Sequence, residues 1–243
     1  MDTDFDVYAT PNGVMQISNT VRRQVLSFLS LSDLSLTEIS NMAGKAQSTL
    51  SVHMDKMVND GLVTFRDDPS DSRKKIFSLS SKLVARSRDA NEESKKAYHK
   101  AIEDLPDRNR NFFKTLMRAL IIGMEAHGLC LGASLRRLGT GTGLAMAKNM
   151  KSTKVEDIVS EIQEFYEIHG IGEVCVYTFM PLTIIVRDND ELTSCVSESI
   201  SMFSQGLFIT VFEEITKKRY RIVSSESFGA DNNYSKFVIE QII

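Results

Sequence analysis

The sequence predicts an α+β chain in three parts: an N-terminal helical bundle closed by a β-hairpin, a helical connector, and a C-terminal α+β domain. Three observations carry that expectation. Apolar residues recur at helical spacing in three stretches and are followed by two β-type runs around a cluster of turn formers. A charged, Gly-free stretch then intervenes, and the remainder mixes helices and paired strands without regular βαβ alternation. A length of 243 residues suits two domains, and 42% hydrophobic with 25% charged residues is a globular composition.

In the first part, roughly residues 18 to 86, Val21, Val25, Phe28 and Leu29 give a first helix one buried face. Ser35 followed by Glu38 has capping-box spacing, so SLTEISNMA is a short second helix with Leu36 and Ile39 inward and Gly44 as its turn. KAQSTLSVHMDKMVNDG is a third helix. It carries Leu50, Met54, Met57 and Val58 on one stripe, sets Ser48, Thr49, Val52 and Lys56 roughly opposite, and stops at Asp60 and Gly61. LVTFR and RKKIFSL flank the turn formers DDPSDS and make a hairpin.

From about Ser87 to Arg110 a polar segment predicts a solvated helical connector broken at Pro106. NFFKTLMRALIIGMEAHGL follows, with Phe112, Leu116, Leu120 and Ile121 at helical spacing. It is more apolar than one amphipathic helix on a small domain can hide, so a homodimer is expected to form across Phe112 to Met124. From Gly128 to Ile243 the order is helix, helix, strand, strand, helix, strand, strand. Val155, Ile158, Val159, Ile162 and Phe165 mark one helix, EVCVYTFM and PLTIIVRD are strands around Pro181, a long helix runs from Cys195 to about Lys217, and RYRIVSSES and SKFVIEQI are joined by GADNN. The expected divisions are 1–86, 87–127 and 128–243.

A net charge of −3 gives no global attraction to nucleic acid, so any such contact must come from a local cluster of cations. No run approaches the roughly 18 to 20 apolar residues that span a bilayer, and the acidic start MDTDFDVYAT lacks the flank and apolar run of a secretory signal, which predicts a cytoplasmic protein without a membrane partner. Cys130, Cys175 and Cys195 are too few and too far apart for a secreted disulfide framework. His53, His99, His127 and His169 include no pair at i and i+4, so neither a metal site nor a cofactor is expected. Neither a G-x-S-x-G elbow nor an H-E-x-x-H is present, so no catalytic residues are named and no enzyme is expected. The G-T-G-T-G at Gly139 to Gly143 lacks a following G-K-[ST] and a preceding strand, and its spacing suits close helix packing better than phosphate binding.

Short helix, Gly turn, polar-faced helix and basic hairpin stand in the order of a winged helix-turn-helix. There the third helix enters the major groove and hairpin cations follow the phosphates. Arg66 precedes the turn, and Arg73, Lys74 and Lys75 follow it. LTEISNMAGKAQSTLSVHMDKMVNDGLVTFRDDPSDSRKKIFSLS resembles the winged helix of the ArsR-type regulators, through S-T-L-S-x-H, D-G-L-V and D-x-R-K-K-I-F. The resemblance covers about the first third of the chain. It implies a double-stranded DNA operator, with Lys45, Gln47, Ser48, Thr49, Ser51, His53 and Lys56 as major-groove or phosphate contacts and Arg73, Lys74 and Lys75 as wing contacts. For His53 a packed imidazole is an equal alternative. The C-V-C motif of metalloid sensors is absent, so metal sensing is not implied.

Farther on, LRRLGTGTGLAMAK, IHGIGEV, SQGLF and ESFGADNNYSKF look like the vinyl-4-reductase-type domain, whose members bind small hydrophobic or aromatic effectors. With an ArsR-type head, the chain resembles the methanogen-specific vinyl-4-reductase-domain regulators, which are archaeal redox-responsive repressors. The resemblance implies control of operator binding by an effector or by redox state. Where many such domains carry a Cys pair this chain has Ser227 and Ser235, and Asp231 stands at the usual Gly. Hydroxyls replace thiolates neither as soft ligands nor in a disulfide, so redox chemistry falls to Cys175, Cys195 and Cys130. Cys195 opens a helix, where the dipole lowers a thiol pKa, and is the preferred thiolate; Cys175 shares a strand face with Tyr177 and Phe179. Three small buried hydrophobes are the alternative. Two other readings stay open: a ligand-binding module whose winged helix serves protein contacts, and an enzyme on a small aromatic substrate.

Overall fold

The chain opens with a hairpin that the sequence reading does not anticipate. Strands β1 (Asp6–Thr10) and β2 (Gly13–Ile17) pair antiparallel around Pro11 and Asn12, with Gly13 at φ +118°. The signal was present, since an apolar alternation on either side of a Pro-Asn-Gly turn is a hairpin pattern. The computed structural model describes residues 4–90, 92–108, 111–151, 153–187, 194–227 and 233–242, the side chains of 72 and 194–196 excepted. Its contacts divide the chain into two units, Met1–Arg88 and Asp89–Ile243.

In the first unit, α1 (Thr20–Leu29) starts where the Asn19 side chain accepts from the Arg22 N–H at 3.0 Å. After β3 (Leu34–Ser35), α2 (Leu36–Ala43) carries the reciprocal capping box: the Glu38 N–H donates to Ser35 Oγ at 3.3 Å, and the Ser35 N–H donates to Glu38 Oε2 at 2.7 Å. Gly44 ends α2 in the left-handed conformation, φ +60°, and α3 (Gln47–Asn59) follows. Strands β4 (Val63–Asp68) and β5 (Asp71–Leu79) form the wing, and β3 extends it to a sheet in the order β3-β5-β4. The sequence predicts two strands here; β6 (Lys82–Ser87) is a further one and pairs antiparallel with β1.

Val25, Leu26, Ile39, Leu50, Met54, Met57 and Leu62 are almost wholly buried in one core, and Tyr8 and Ile17 of the hairpin join it. Burying each such side chain is worth roughly 1.5–3 kcal/mol, which is why tertiary packing rather than propensity holds helices this short. Burial beside the buried Asp6 carboxylate pushes the Tyr8 hydroxyl up to about 12. Asp6 is met by Arg23 at 3.6 Å and Arg86 at 3.9 Å, which fastens the hairpin to α1 and β6.

The second unit begins with α4 (Glu92–Asp104) and α5 (Phe112–Ala126), the latter capped by Asn111, then the two-residue β7 (Leu129–Cys130) and α6 (Gly132–Ala147). There follow α7 (Val155–Ile168), β8 (Glu173–Phe179), β9 (Leu182–Arg187), α8 (Ser194–Thr216), β10 (Arg219–Ser227) and β11 (Tyr234–Ile242). Strands β8 to β11 form one antiparallel sheet, in the order β10-β11-β9-β8, so the unit is α+β as the sequence predicts. Its core joins Ile158, Ile162 and Tyr166 of α7 and Leu207, Phe208, Val211 and Phe212 of α8 to Ile184 and Phe237 of the sheet.

The G-T-G-T-G run lies inside α6, which runs against α8 at backbone contact. A Cβ on Gly139 would stand 2.0 Å from the Phe203 carbonyl oxygen, and one on Gly143 2.9 Å from that of Leu207. Gly139 and Gly143 therefore serve helix packing. The turn expected at GADNN, with Asp231, falls largely outside the described residues.

Candidate nucleic-acid interface

Helix α3 buries Leu50, Met54 and Met57 and thereby turns Ser48, Thr49, Val52 and Lys56 outward, with Lys45 exposed just before the helix. The spacing of these residues by three or four places them on one solvent-facing stripe. Ala46 at the N-cap offers no side-chain acceptor to the first turn. Gln47 is also exposed, and its amide donates to Thr37 Oγ1 at 3.3 Å, joining the start of α3 to α2. Ser51 is half-buried. So is His53, whose Nδ1 is buried without a hydrogen-bond partner among the described residues; it sits between the outward stripe and the core.

The wing cations are all exposed but differ in their partners. Arg66 meets Asp33 at 3.5 Å and Arg73 meets Asp71 at 3.2 Å. Lys45, Lys56, Lys74 and Lys75 make no ion pair within 4 Å among the described residues; Lys75 Nζ instead stands 4.1 Å from the Phe65 ring centroid. Between α3 and the wing runs a groove of roughly 570 Å³ whose walls include Gln47, Ser51, Phe65, Arg73, Lys74 and Lys75. Hydroxyls, amides and unpaired ammonium groups around a groove beside an exposed helix can meet base edges and phosphates.

Val52, 70% exposed, and Phe65, 42% exposed, are not assigned to the interface by the sequence reading. An apolar residue on the outward stripe suits a thymine methyl, and its position opposite Leu50 and Met54 was the available signal. Nothing local marks Phe65, because its role depends on the residue across the hairpin.

In the second unit the inward side of the sheet changes from apolar to hydroxylic toward one end. Ser225 and Ser227 of β10 and Ser235 of β11 face the buried Ser201, Ser204 and Gln205 of α8. The Gln205 amide donates to Ser225 at 3.1 Å, and Tyr166 donates to Ser204 at 2.8 Å. A cavity of roughly 710 Å³ between α8 and β10 is lined by Arg136, Ser201, Gln205, Tyr220, Ile222 and Ser225, among others. Ser227 and Ser235 are direct cross-strand partners, their hydroxyls 3.4 Å apart. A zinc ion held by a Cys pair does not fit these residues, which offer two neutral hydroxyls bonded to each other. No three His, Cys, Asp or Glu side chains come together as a metal site among the described residues.

Of the expected redox thiols, Cys175 is half-buried and donates to Glu173 Oε1 at 3.5 Å. Burial, that hydrogen bond and the Glu173 charge all push its pKa up, which disfavours the thiolate. Cys130 Sγ lies 3.5 Å from Ser199 Oγ, which donates to the buried Glu125. The Cys195 side chain lies outside the described residues.

On α5, Phe112, Phe113, Leu116, Met117, Leu120 and Met124 are exposed along one stripe. Ile121, expected with them, is 8% exposed and packs inward with Ile122, near Ala97, Tyr98 and Leu135. Among the described residues no helix is long and apolar enough to cross a membrane.

No curated protein matches the chain. Among solved structures, that of the adhesin competence repressor (AdcR) from Streptococcus pyogenes is similar at 20% identity and a TM-score of 0.25, over 25% of this chain and 46% of that one, so under half of that repressor's length is spanned. Residues 19–64, from the N-cap of α1 into the first strand of the wing, match the family described as bacterial regulatory protein, arsR family.

Proposed function

We propose that the chain is a homodimeric DNA-binding transcription regulator, acting as a repressor, in which α3 and the wing hold a two-fold-related operator and the second unit controls that hold. The observation that carries this reading is the outward polar stripe of α3, which lies inside the segment 19–64 that matches the arsR family, beside a wing whose Lys74 and Lys75 make no ion pair among the described residues. Lys45, Gln47, Ser48, Thr49 and Lys56 are the contacts proposed for the major groove or its phosphates, with Lys74 and Lys75 on the flanking phosphates. The exposed stripe of α5 supports pairing of two copies, which a helix-turn-helix needs in order to read two half-sites.

Control is a coupling free energy: whatever favours one arrangement of the second units changes operator affinity. The cavity between α8 and β10 combines apolar Tyr220 and Ile222 with hydroxyl and amide groups, which suits an effector with a hydrophobic or aromatic body and hydrogen-bonding substituents. Thiol oxidation is the other input, and the raised pKa of Cys175 disfavours that residue as the responsive thiol.

The test is binding of the full chain to DNA from upstream of its own coding sequence, across a salt series and with or without reductant. Tight binding whose affinity falls steeply with salt is expected. Salt-insensitive or absent binding would sink the reading, and equal binding in both redox states would leave the cavity as the control site.

A further inference from the structure

Arg66 and Arg73 spend part of their charge inside the protein, on Asp33 and Asp71. Lys75 is held differently. Its direct partner across the hairpin is Asp67, yet the two make no ion pair within 4 Å; the ammonium lies instead 4.1 Å from the centroid of the Phe65 ring. That ring in turn packs against the buried Phe77, its direct cross-strand partner, centroid to centroid 6.0 Å. Phe65, Phe77 and Lys75 all line the groove that faces α3, and Asp55 of α3 lines it too.

A ring quadrupole attracts a cation about as strongly as an exposed carboxylate does, but it cancels none of the charge. A phosphate approaching Arg66 or Arg73 must compete with a carboxylate; one approaching Lys75 need not. We infer that Phe65 is a positioning residue for DNA binding: it holds the Lys75 ammonium on the α3 side of the wing, keeps Asp67 from capturing it, and leaves its full charge to a phosphate. The inference rests on the DNA-binding reading above.

The test uses the full chain, a duplex from its own upstream DNA and a 30-base-pair duplex of unrelated sequence, the length on the order of a two-half-site operator. Phe65→Leu is expected to weaken binding to both duplexes by about 2- to 5-fold, while Phe65→Tyr stays within about twofold of the wild type. In a Lys75→Ala background Phe65→Leu should cost nothing further, and Asp67→Asn should restore affinity to the Phe65→Leu protein. An equal loss with and without Lys75 would overturn the inference, because Phe65 would then be acting on the folding of the wing. Proton NMR of the free protein reads the platform without DNA: the ring current should shift the Lys75 ε-methylene protons upfield, and Phe65→Leu should abolish the shift. No upfield shift overturns the platform whatever the DNA result, whereas a shift in a protein that binds neither duplex removes the DNA-binding reading and this role for Phe65 with it.

Discussion

Gly206 of α8 lies so close to Arg136 of α6 that a Cβ at 206 would stand 2.0 Å from the Arg136 carbonyl oxygen. The contact is reciprocated by Gly139 against Phe203, so the two helices touch backbone to backbone. Because the obstructing atom is main chain, no side-chain rotation relieves it. Gly206→Ala should destabilise the protein by about 3 kcal/mol or more. Gly141, on the same helix as Gly139 but with nothing within 4 Å of its Cβ position, makes the contrast: Gly141→Ala should stabilise by about 0.5–1 kcal/mol. Denaturant unfolding of the two variants measures both, and similar losses would show that the α6–α8 contact is not the tight one.

The cations of the winged unit should separate by their partners. Lys56→Ala and Lys74→Ala remove ammonium groups that make no ion pair among the described residues, and each should reduce the slope of log affinity against log salt by about 0.9. Arg66→Ala should change the slope less, since Asp33 already offsets that guanidinium in the free protein. Fluorescence anisotropy across a salt series gives the slopes; a larger change for Arg66 than for Lys74 would reverse the ranking.

Cys175 should alkylate slowly at neutral pH. Its thiolate is disfavoured by burial, by the hydrogen bond to Glu173 and by the carboxylate charge, so the rate should rise only at a pH above the usual thiol range. Glu173→Gln removes the charge and should move the midpoint down, making the thiol react faster near pH 8. Mass-spectrometric mapping of iodoacetamide labelling against pH follows this site alone, and a midpoint below that of an ordinary thiol would contradict the described surroundings.

The α5 stripe should set the oligomeric state. Leu116→Lys or Leu120→Lys places a charge where a second copy is proposed to pack, and light scattering should find a monomer whose circular dichroism is unchanged. Ile121→Lys should instead unfold the second unit, because Ile121 is buried within it. A dimer that survives both surface changes would place the subunit contact elsewhere.

Much of the molecule is legible in the sequence because it depends on interactions a few residues apart. The Ser35–Glu38 capping box, the left-handed Gly44, the buried stripe Leu50–Met54–Met57 and the close-packing glycines of α6 each follow from a local rule of spacing or backbone conformation. Tertiary structure alone decides the features that join distant residues. It pairs Asp6 of β1 with Arg86 of β6, turns Ile121 inward while its neighbour Leu120 faces out, sets Ser227 against Ser235, and ties Arg66 to Asp33 while leaving Lys75 over Phe65. The physical reason is one of range. Helical periodicity and capping are written within a turn or two of chain, whereas cross-strand register, burial and the choice between a carboxylate and a ring as a cation's partner arise only once segments far apart in sequence are packed together.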